Sequence, residues 1–487
     1  MKFEKQVSLK WAIALVLIAC LVSSSVVYYV FAVSPSSTVT ISGGVYPGAP
    51  SYTVWREGDY YFAKDANGEI EYSGTNASNV VQSCFDVIDS VGGGSVYFNP
   101  TGGEFVFTNS MLIPSNLLLD FGWSRIKMAD NFNFYYFTDI TPPAYAMMFT
   151  NKGFPYTPIV NVTIQNGIID GNHDGQTTCG GIIAIKPAVK VTIRNLMIEH
   201  ATYDAHDAII LALCNASLID NVKTFDSGVV DGAPIGLRGC RQIVITNCHF
   251  ENEFADGIVI YKEDQHVTAD VYSWDIKIIG NTFIGAGRNA IRVETGCYDI
   301  VIDGNTIYDS GKNTIYTPIC DHAAIFIYGL SNFVISNNVI RRVANNQTCG
   351  VYVSGVYQNI HNVLINNNIF GGQTYCQIHV DNVTDVEIAD NDFYDTATVL
   401  EKGANVNNLI VRHNVGFVTE NSGTATISAS TTVTFNHGLA GTPTHVTCGF
   451  KAYGYGGWKW SANSTQITIT VITTGTYTFS WYAEYKP

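Results

Sequence analysis

The sequence predicts an all-β fold in which short coils stack in parallel into one elongated core. Three observations carry this. From about residue 161 to 414 a phrase recurs in which two apolar residues two apart are followed at once by Asn or Gly, as in Val162-Thr-Ile164-Gln-Asn166, Ile243-Val-Ile245-Thr-Asn247 and Val363-Leu-Ile365-Asn-Asn367. Its second apolar residue stands at 164, 193, 219, 245, 278, 302, 335, 365, 388 and 411, a spacing of 23 to 33 residues that marks one repeated unit. Between these phrases lies a second apolar triplet, beginning at Ile183, Ile209, Ile235, Ile258, Ile291, Ile325, Val351 and Ile378.

Apolar, polar, apolar alternation marks a strand with one face buried. The Asn or Gly that follows suits a bend with left-handed backbone. A short third strand comes after it (Met197-Ile198, His249-Phe250, Thr282-Phe283, Ile369-Phe370), so each unit holds three strands and no helix. One such coil cannot bury its apolar face alone. Stacked about 4.8 Å apart, the coils form a continuous Ile/Val core, with Asn side chains laddered up one corner.

Over roughly residues 79–417 this pattern resembles the right-handed parallel β-helix of the pectate-lyase and polygalacturonase superfamily, which includes phage tailspikes. The resemblance implies a right-handed helix of ten or more coils; it implies little about reaction, because the fold hosts many activities. A β-propeller needs about four strands per repeat, and a leucine-rich repeat needs a Leu consensus that is absent.

In chain order, Lys2, Lys5 and Lys10 precede an uncharged run from Trp11 to Val33, long enough to span a bilayer, with the lysines favouring the inside. Segment 1–33 therefore reads as a signal-anchor or transmembrane segment. Val30-Phe31-Ala32 also suits signal-peptidase cleavage, and Leu17-Ile18-Ala19-Cys20 looks like a lipobox. All three readings put the body outside the cell. Residues 34–50 are a Ser/Pro/Gly linker, and 51–419 the β-helix with its cap. Tyr52 to Tyr72 reads as a lead-in strand pair. Asn79 to Val91 has helical apolar spacing, with Ser78 or Asn79 placed to cap it. Such a helix before a Gly-rich turn resembles the N-terminal cap of rhamnogalacturonase-type and tailspike-type helices, and it covers an otherwise open sheet edge. Residues 420–487 alternate in a Thr-rich pattern and read as a small β-sandwich. There Tyr453, Tyr455, Trp458 and Trp460 suit either sugar stacking or the domain's own core.

Acidic residues outnumber basic ones by 41 to 26, a net charge of −15, with no basic run after the first ten residues, so nucleic acid is excluded as a partner. The expected partners are a polysaccharide or other glycan, the membrane through the N-terminal segment and, by likeness to tailspikes, further copies in a homotrimer. Cys214 with Cys240, and Cys349 with Cys376, fall at matching positions of adjacent coils; a disulfide and a buried thiol stack both fit that spacing. No CxxC or His/Cys cluster suggests zinc. Six Asn-x-Ser/Thr sequons, from Asn76 to Asn463, permit glycosylation.

Numbered from the first Ile of each second triplet, charges and aromatics gather on one outward face between Asp207 and Tyr328. Ala255-Asp256-Gly257-Ile258 resembles the Asp-Asp-Cys-Ile motif of polygalacturonase-type hydrolases, and His206-Asp207-Ala208-Ile209 their Asn-Thr-Asp-Gly segment. The resemblance implies Asp207 and Asp256 as acid and base, with Asp231 in the coil between. Arg288-Asn289-Ala290 stands where the family's Gly-His-Gly would be, and the Arg-Ile-Lys motif is missing, which argues against a standard polygalacturonase. A lyase instead needs a base and a cation for the uronate carboxylate, for which Arg292, Arg288, Lys262 and Arg238 qualify. His206, Tyr261, Glu294, His322 and Tyr328 complete the candidate binding face. The alternative is that the aspartates cap turns, since Asp-Gly before a strand is common turn chemistry.

Asp170-Gly-Asn172-His-Asp174-Gly175 matches the first half of a calcium loop, although position twelve is Gly181 rather than Glu, which excludes an EF-hand. No cofactor is required; Ca²⁺ at Asp170, Asn172 and Asp174 is the one metal expectation. Three function classes stay open: a glycoside hydrolase or polysaccharide lyase, a non-catalytic glycan-binding surface protein, and a structural trimer.

Overall fold

The computed structural model describes residues 51–487 apart from 134–146, 178–180, 202–206, 227–231, 266, 316–318, 345, 356–358, 395–397 and 452–456. The apolar run 11–33 lies outside the described residues, and among those described no helix is long and apolar enough to cross a membrane.

The repeat phrases form the rungs of a parallel β-helix. Ile164, Ile193, Ile219, Ile245 and Ile278 pair in register, and the column continues through Ile302, Ile335, Ile365 and Ile388 to Val411. All nine isoleucines are buried; Val411, in the last coil of the column, is only partly so. The second triplets build a separate parallel sheet of eleven strands, from Met111–Ile113 to Leu400–Lys402. Its inward column, from Ile183 through Ile258 to Ile378, meets the first inside one continuous core.

The bend after each rung is left-handed as expected: Asn166, Asn195, Asn221, Asn247, Gly280, Gly304, Asn337, Asn367, Asp390 and His413 take φ between 51° and 66°. From Asn281 onward the next residue turns inward and forms the ladder. Asn338 Nδ2 donates to Ile302 O (3.0 Å) and Asn368 Oδ1 (2.9 Å), and Asn338 Oδ1 accepts from Asn305 N (2.9 Å) and Nδ2 (3.0 Å). Each coil bends a second time just before the rung, where Asn161, Lys190, Ala216, Gln242, Asp275, Asp299, Asn332, Asn362, Asp385 and Asn408 take φ of 50° to 61°. The repeat phrase gave no expectation of this corner.

Helix α1, Ala77–Val91, closes the first coil with Val80, Val81, Cys84, Phe85 and Ile88 buried. Its cap is Asn76, not Ser78 or Asn79: the Asn76 side chain accepts from Asn79 N (3.2 Å). Ser78 Oγ instead accepts from Thr108 N (2.9 Å) and Asn109 N (3.3 Å), docking the helix on the first coils. The lead-in is a three-stranded antiparallel meander, Ser51–Glu57, Tyr60–Lys64 and Ile70–Gly74, rather than a pair.

Beyond the helix, strands Glu420–Asn436, His445–Phe450, Trp458–Ala462 and Gln466–Glu484 make one four-stranded antiparallel sheet. Its two long strands run through both ends, and the ends touch: Phe435 lies 4.9 Å from Trp481 and Trp458 lies 5.8 Å from Phe479, ring to ring. The sheet is thus bent over its own core instead of being built from two separate sheets. Trp458 packs against that core and Trp460 is exposed; Tyr453 and Tyr455 lie outside the described residues.

Cys349 and Cys376 are register partners with Sγ atoms 3.0 Å apart, and they, like Cys214 and Cys240, are free buried thiols. Of the two readings, the thiol stack is the arrangement present.

Candidate functional site

In the eleven-strand sheet the side chains one and three places after the first inward residue face outward, as strand alternation requires. In this way Arg238 and Tyr261 become neighbours, and Arg292, Phe326, Tyr352 and His379 form one column. The turns entering these strands bring in Asp207 and Asp256. A cavity of about 410 Å³ opens here, lined by Asp207, Asp256, Arg238, Tyr261, Lys262 and Arg288, with Glu294 also on its wall. Seven of the expected site residues therefore share one space.

Asp207 is 4% exposed, and its two oxygens are held differently. Oδ1 accepts from Ala233 N (3.0 Å); Oδ2 accepts from Tyr261 Oη (2.9 Å) and lies 3.8 Å from the Arg238 guanidinium. Arg238 donates to Tyr261 Oη (3.2 Å), with its Cζ 4.7 Å from that ring's centroid. Ring and guanidinium thus brace each other across adjacent coils. Asp256 repeats the scheme two coils on: Oδ1 accepts from Asn289 N (3.0 Å), and Arg288 stands 3.7 Å from Oδ2.

Asp321, which the sequence reading missed, ties the cations together. It is 8% exposed and accepts from Arg288 (3.0 Å) and Arg292 (2.9 Å) through Oδ1. Arg292 also donates to Glu294 (2.7 Å) and lies over Phe326, 5.2 Å from its centroid. Burial works against the Arg292 charge, yet Asp256, Glu294 and Asp321 outweigh it and hold the guanidinium above the usual arginine range. Such a group suits positioning, not proton abstraction. Lys262 reaches Asp270 (2.6 Å) at the cavity edge.

The remaining candidates separate. His322 is buried in the short 3₁₀ turn Ile319–His322, and half-buried Tyr328 stacks on Phe326; neither is among the cavity's lining residues. His206 and Asp231 lie outside the described residues. Asp170, Asn172 and Asp174 are engaged with different partners. Asp170 accepts from Arg125 (2.8 Å) and pairs with His200 (3.2 Å). Asn172 turns its Nδ2 to Met128 O and Asp130, and the Asp174 side chain is exposed beside His173. The ligand atoms that do gather are on Asp170, Glu199 and His200, within 4.8 Å of one another. Arg125 already binds both of those carboxylates, at 2.8 and 2.9 Å. Burial raises the Asp170 carboxyl, but the Asn172 N–H, His200 and Arg125 together bring it below its usual value.

A larger cavity, about 680 Å³, is lined by His173, His200, Asp226, Phe254 and Lys312 among others. It contains neither Asp207 nor Asp256, so the smaller one is the better candidate for chemistry.

Residues 267–437 match the family described as right handed beta helix region. No curated protein matches the chain by sequence. Among solved structures, the Streptococcus pneumoniae surface protein and adhesin PfbA is similar at 15% identity and TM-score 0.51, over 70% of this chain and 96% of that one. The A-module of the Azotobacter vinelandii mannuronan C-5 epimerase AlgE6 is similar at 14% identity and TM-score 0.50, over 69% and 95%. At such identities the likeness establishes the fold: a right-handed parallel β-helix.

Proposed function

We propose that this right-handed parallel β-helix protein works outside the cell on an acidic glycan, which it binds along the outer face of the eleven-strand sheet and cleaves with Asp207 and Asp256. The observation that carries the proposal is the shared cavity: two carboxylates stand in it, each with an arginine within 4 Å, and Lys262 lies at its edge. The cations suit the carboxylates of a uronate chain. Two coils of strand spacing set the backbones of the aspartates about 9.6 Å apart, and the Asp207 carboxylate leans over Gly236 in the coil between, an arrangement that suits the roughly 6.5 to 9.5 Å between carboxyl groups that leaves room for an attacking water in inverting hydrolysis. One carboxyl group would give its proton to the departing glycosidic oxygen, while the other takes a proton from the water. One neighbour of the same fold is a mannuronan C-5 epimerase and another a surface adhesin, which supports a glycan partner and a surface location. The apolar run 11–33 supports a tether, tested by fractionation; recovery of the intact chain in the soluble cytosolic fraction would refute it.

A second reading, glycan binding without chemistry, is favoured by one observation. Both carboxylates already cap backbone N–H groups, of Ala233 and Asn289. The deciding experiment incubates the protein with a panel of acidic polysaccharides and follows reducing ends and the ultraviolet absorbance of unsaturated uronates. New reducing ends without absorbance, lost in Asp207→Asn and Asp256→Asn, support hydrolysis. Ends with absorbance mean elimination, and retention of a glycan without cleavage supports the second reading.

A further inference from the structure

We infer that Lys186 is a positioning residue for this cavity: from three coils away it clamps Glu263 and so holds the segment after Tyr261 in place as the cavity wall. The inference rests on the glycan reading only for what the wall does, not for the clamp itself.

Lys186 follows the strand Gly181–Ile185, whereas Glu263 follows Ile258–Tyr261, three steps further along the same sheet. Three steps are about 14 Å of stacking, farther than a lysine side chain spans. The segment beyond Tyr261 must therefore lean back over the intervening coils to meet Lys186. Lys186 Nζ lies 2.9 Å from Glu263 Oε2 and donates to Gln265 O (2.8 Å); Glu263 Oε1 accepts from Gln265 N (2.7 Å). The side chains of the pair are 1% and 0% exposed. Glu263 also exchanges two backbone hydrogen bonds with Val271, both 2.8 Å, which closes the segment at its base.

The path explains a glycine. At Gly239, in the second of the two coils between, a Cβ would lie 2.7 Å from Glu263 Cβ and 3.0 Å from Val271 O, so the segment crosses where no side chain stands in the way. What it carries belongs to the site: Lys262, Glu263 and Asp264 all line the cavity that holds Asp207 and Asp256. A fully buried ion pair adds little net stability compared with apolar side chains of equal volume, because both charges must be stripped of water. Its use is to allow one arrangement only. Here that arrangement is the placement of Lys262 and Asp264 over the face where a glycan would lie.

The test uses the full-length chain with Lys186→Met and with the double variant Lys186→Met/Glu263→Leu, which removes both charges and so remains informative if the single variant does not fold. Amide hydrogen exchange of peptides covering 262–272 should rise about tenfold or more in either variant, while peptides from the strand Ile291–Val293 stay protected. On the acidic polysaccharide that the wild type cleaves or binds best, KM or Kd should rise about tenfold with kcat changed by less than about threefold. Unchanged exchange in 262–272 overturns the clamp. Increased exchange with unchanged KM and Kd overturns the segment's role as a wall. If no acidic glycan is bound by the wild type, the functional reading and the wall role fall together, and exchange still decides the clamp.

Discussion

The Oδ2 oxygen of Asp207 occupies the space where a side chain on Gly236, one coil further on, would begin: a Cβ there would lie 2.0 Å from it. The absence of a side chain lets the carboxylate lie across the next strand and reach Tyr261 Oη at 2.9 Å. Gly236→Ala should therefore displace the carboxylate without altering any charge. We expect glycan cleavage to fall as far as in Asp207→Ala, with a stability loss of about 1 to 3 kcal/mol from overpacking. Kinetics on both variants beside thermal melts check this; wild-type rates in Gly236→Ala would detach Asp207 from the chemistry.

Asp321 bridges two largely buried guanidinium groups, so Asp321→Ala leaves both Arg288 and Arg292 short of a counter-charge. Removing one partner from a buried network of this kind costs about 3 to 5 kcal/mol. Denaturant titration of the variant should register a loss of that order, together with weaker glycan binding.

The inner Asn ladder gives a prediction remote from the site. Asn338→Leu strips hydrogen-bond partners from Ile302 O and from the backbone and side-chain N–H groups of Asn305. Asn305 Nδ2 keeps Ile278 O (2.9 Å); each buried group left unpaired costs about 1 to 3 kcal/mol, so the variant should lose at least about 2 kcal/mol. The conservative core truncation Ile302→Ala should cost about 2 to 5 kcal/mol by comparison. Both are read from unfolding midpoints at constant denaturant slope.

His379 stacks on Tyr352 with ring centroids 4.1 Å apart, and burial lowers its pKa below the ordinary 6.5 although Asp381 and Glu401 pull the other way. As pH falls through 6.5 the unfolded chain takes up this proton before the folded one does, so folding stability declines until the folded imidazole also titrates. His379→Phe should remove that part of the acid sensitivity. Between about pH 7.5 and 5 the melting temperature of the wild type should fall further than that of the variant; parallel curves would mean that His379 titrates alike in both states.

By itself the sequence determined the coil, its register and its corner. The spacing from Ile164 to Val411 is set by local alternation and by residues tolerant of left-handed backbone, and both are properties of a few neighbouring residues. The second corner is partly legible too: Asn or Asp stands at 161, 275, 299, 332, 362, 385 and 408, directly before the rung, whereas Lys190, Ala216 and Gln242 take the same left-handed bend without a residue type that marks it. Strand alternation fixes which side chain points away from the core, and it made Arg238, Tyr261, Arg292 and Glu294 readable on the outward face; Asp207, Asp256, Lys262 and Arg288 stand in the turns beside these strands, where alternation does not reach, and the two aspartates were marked by their resemblance to the hydrolase motifs. Tertiary structure alone decided the partners. Lys186 and Glu263 are 77 residues apart in the chain, Asp207 and Gly236 are 29 apart, and Asp321 meets Arg288 across 33. Stacking converts such separations into contact through irregular turns whose length varies from coil to coil. The repeat specifies the strands that must pair; how far each turn leans, and which charge it delivers to which neighbour, follows only from the packing of the turns on one another.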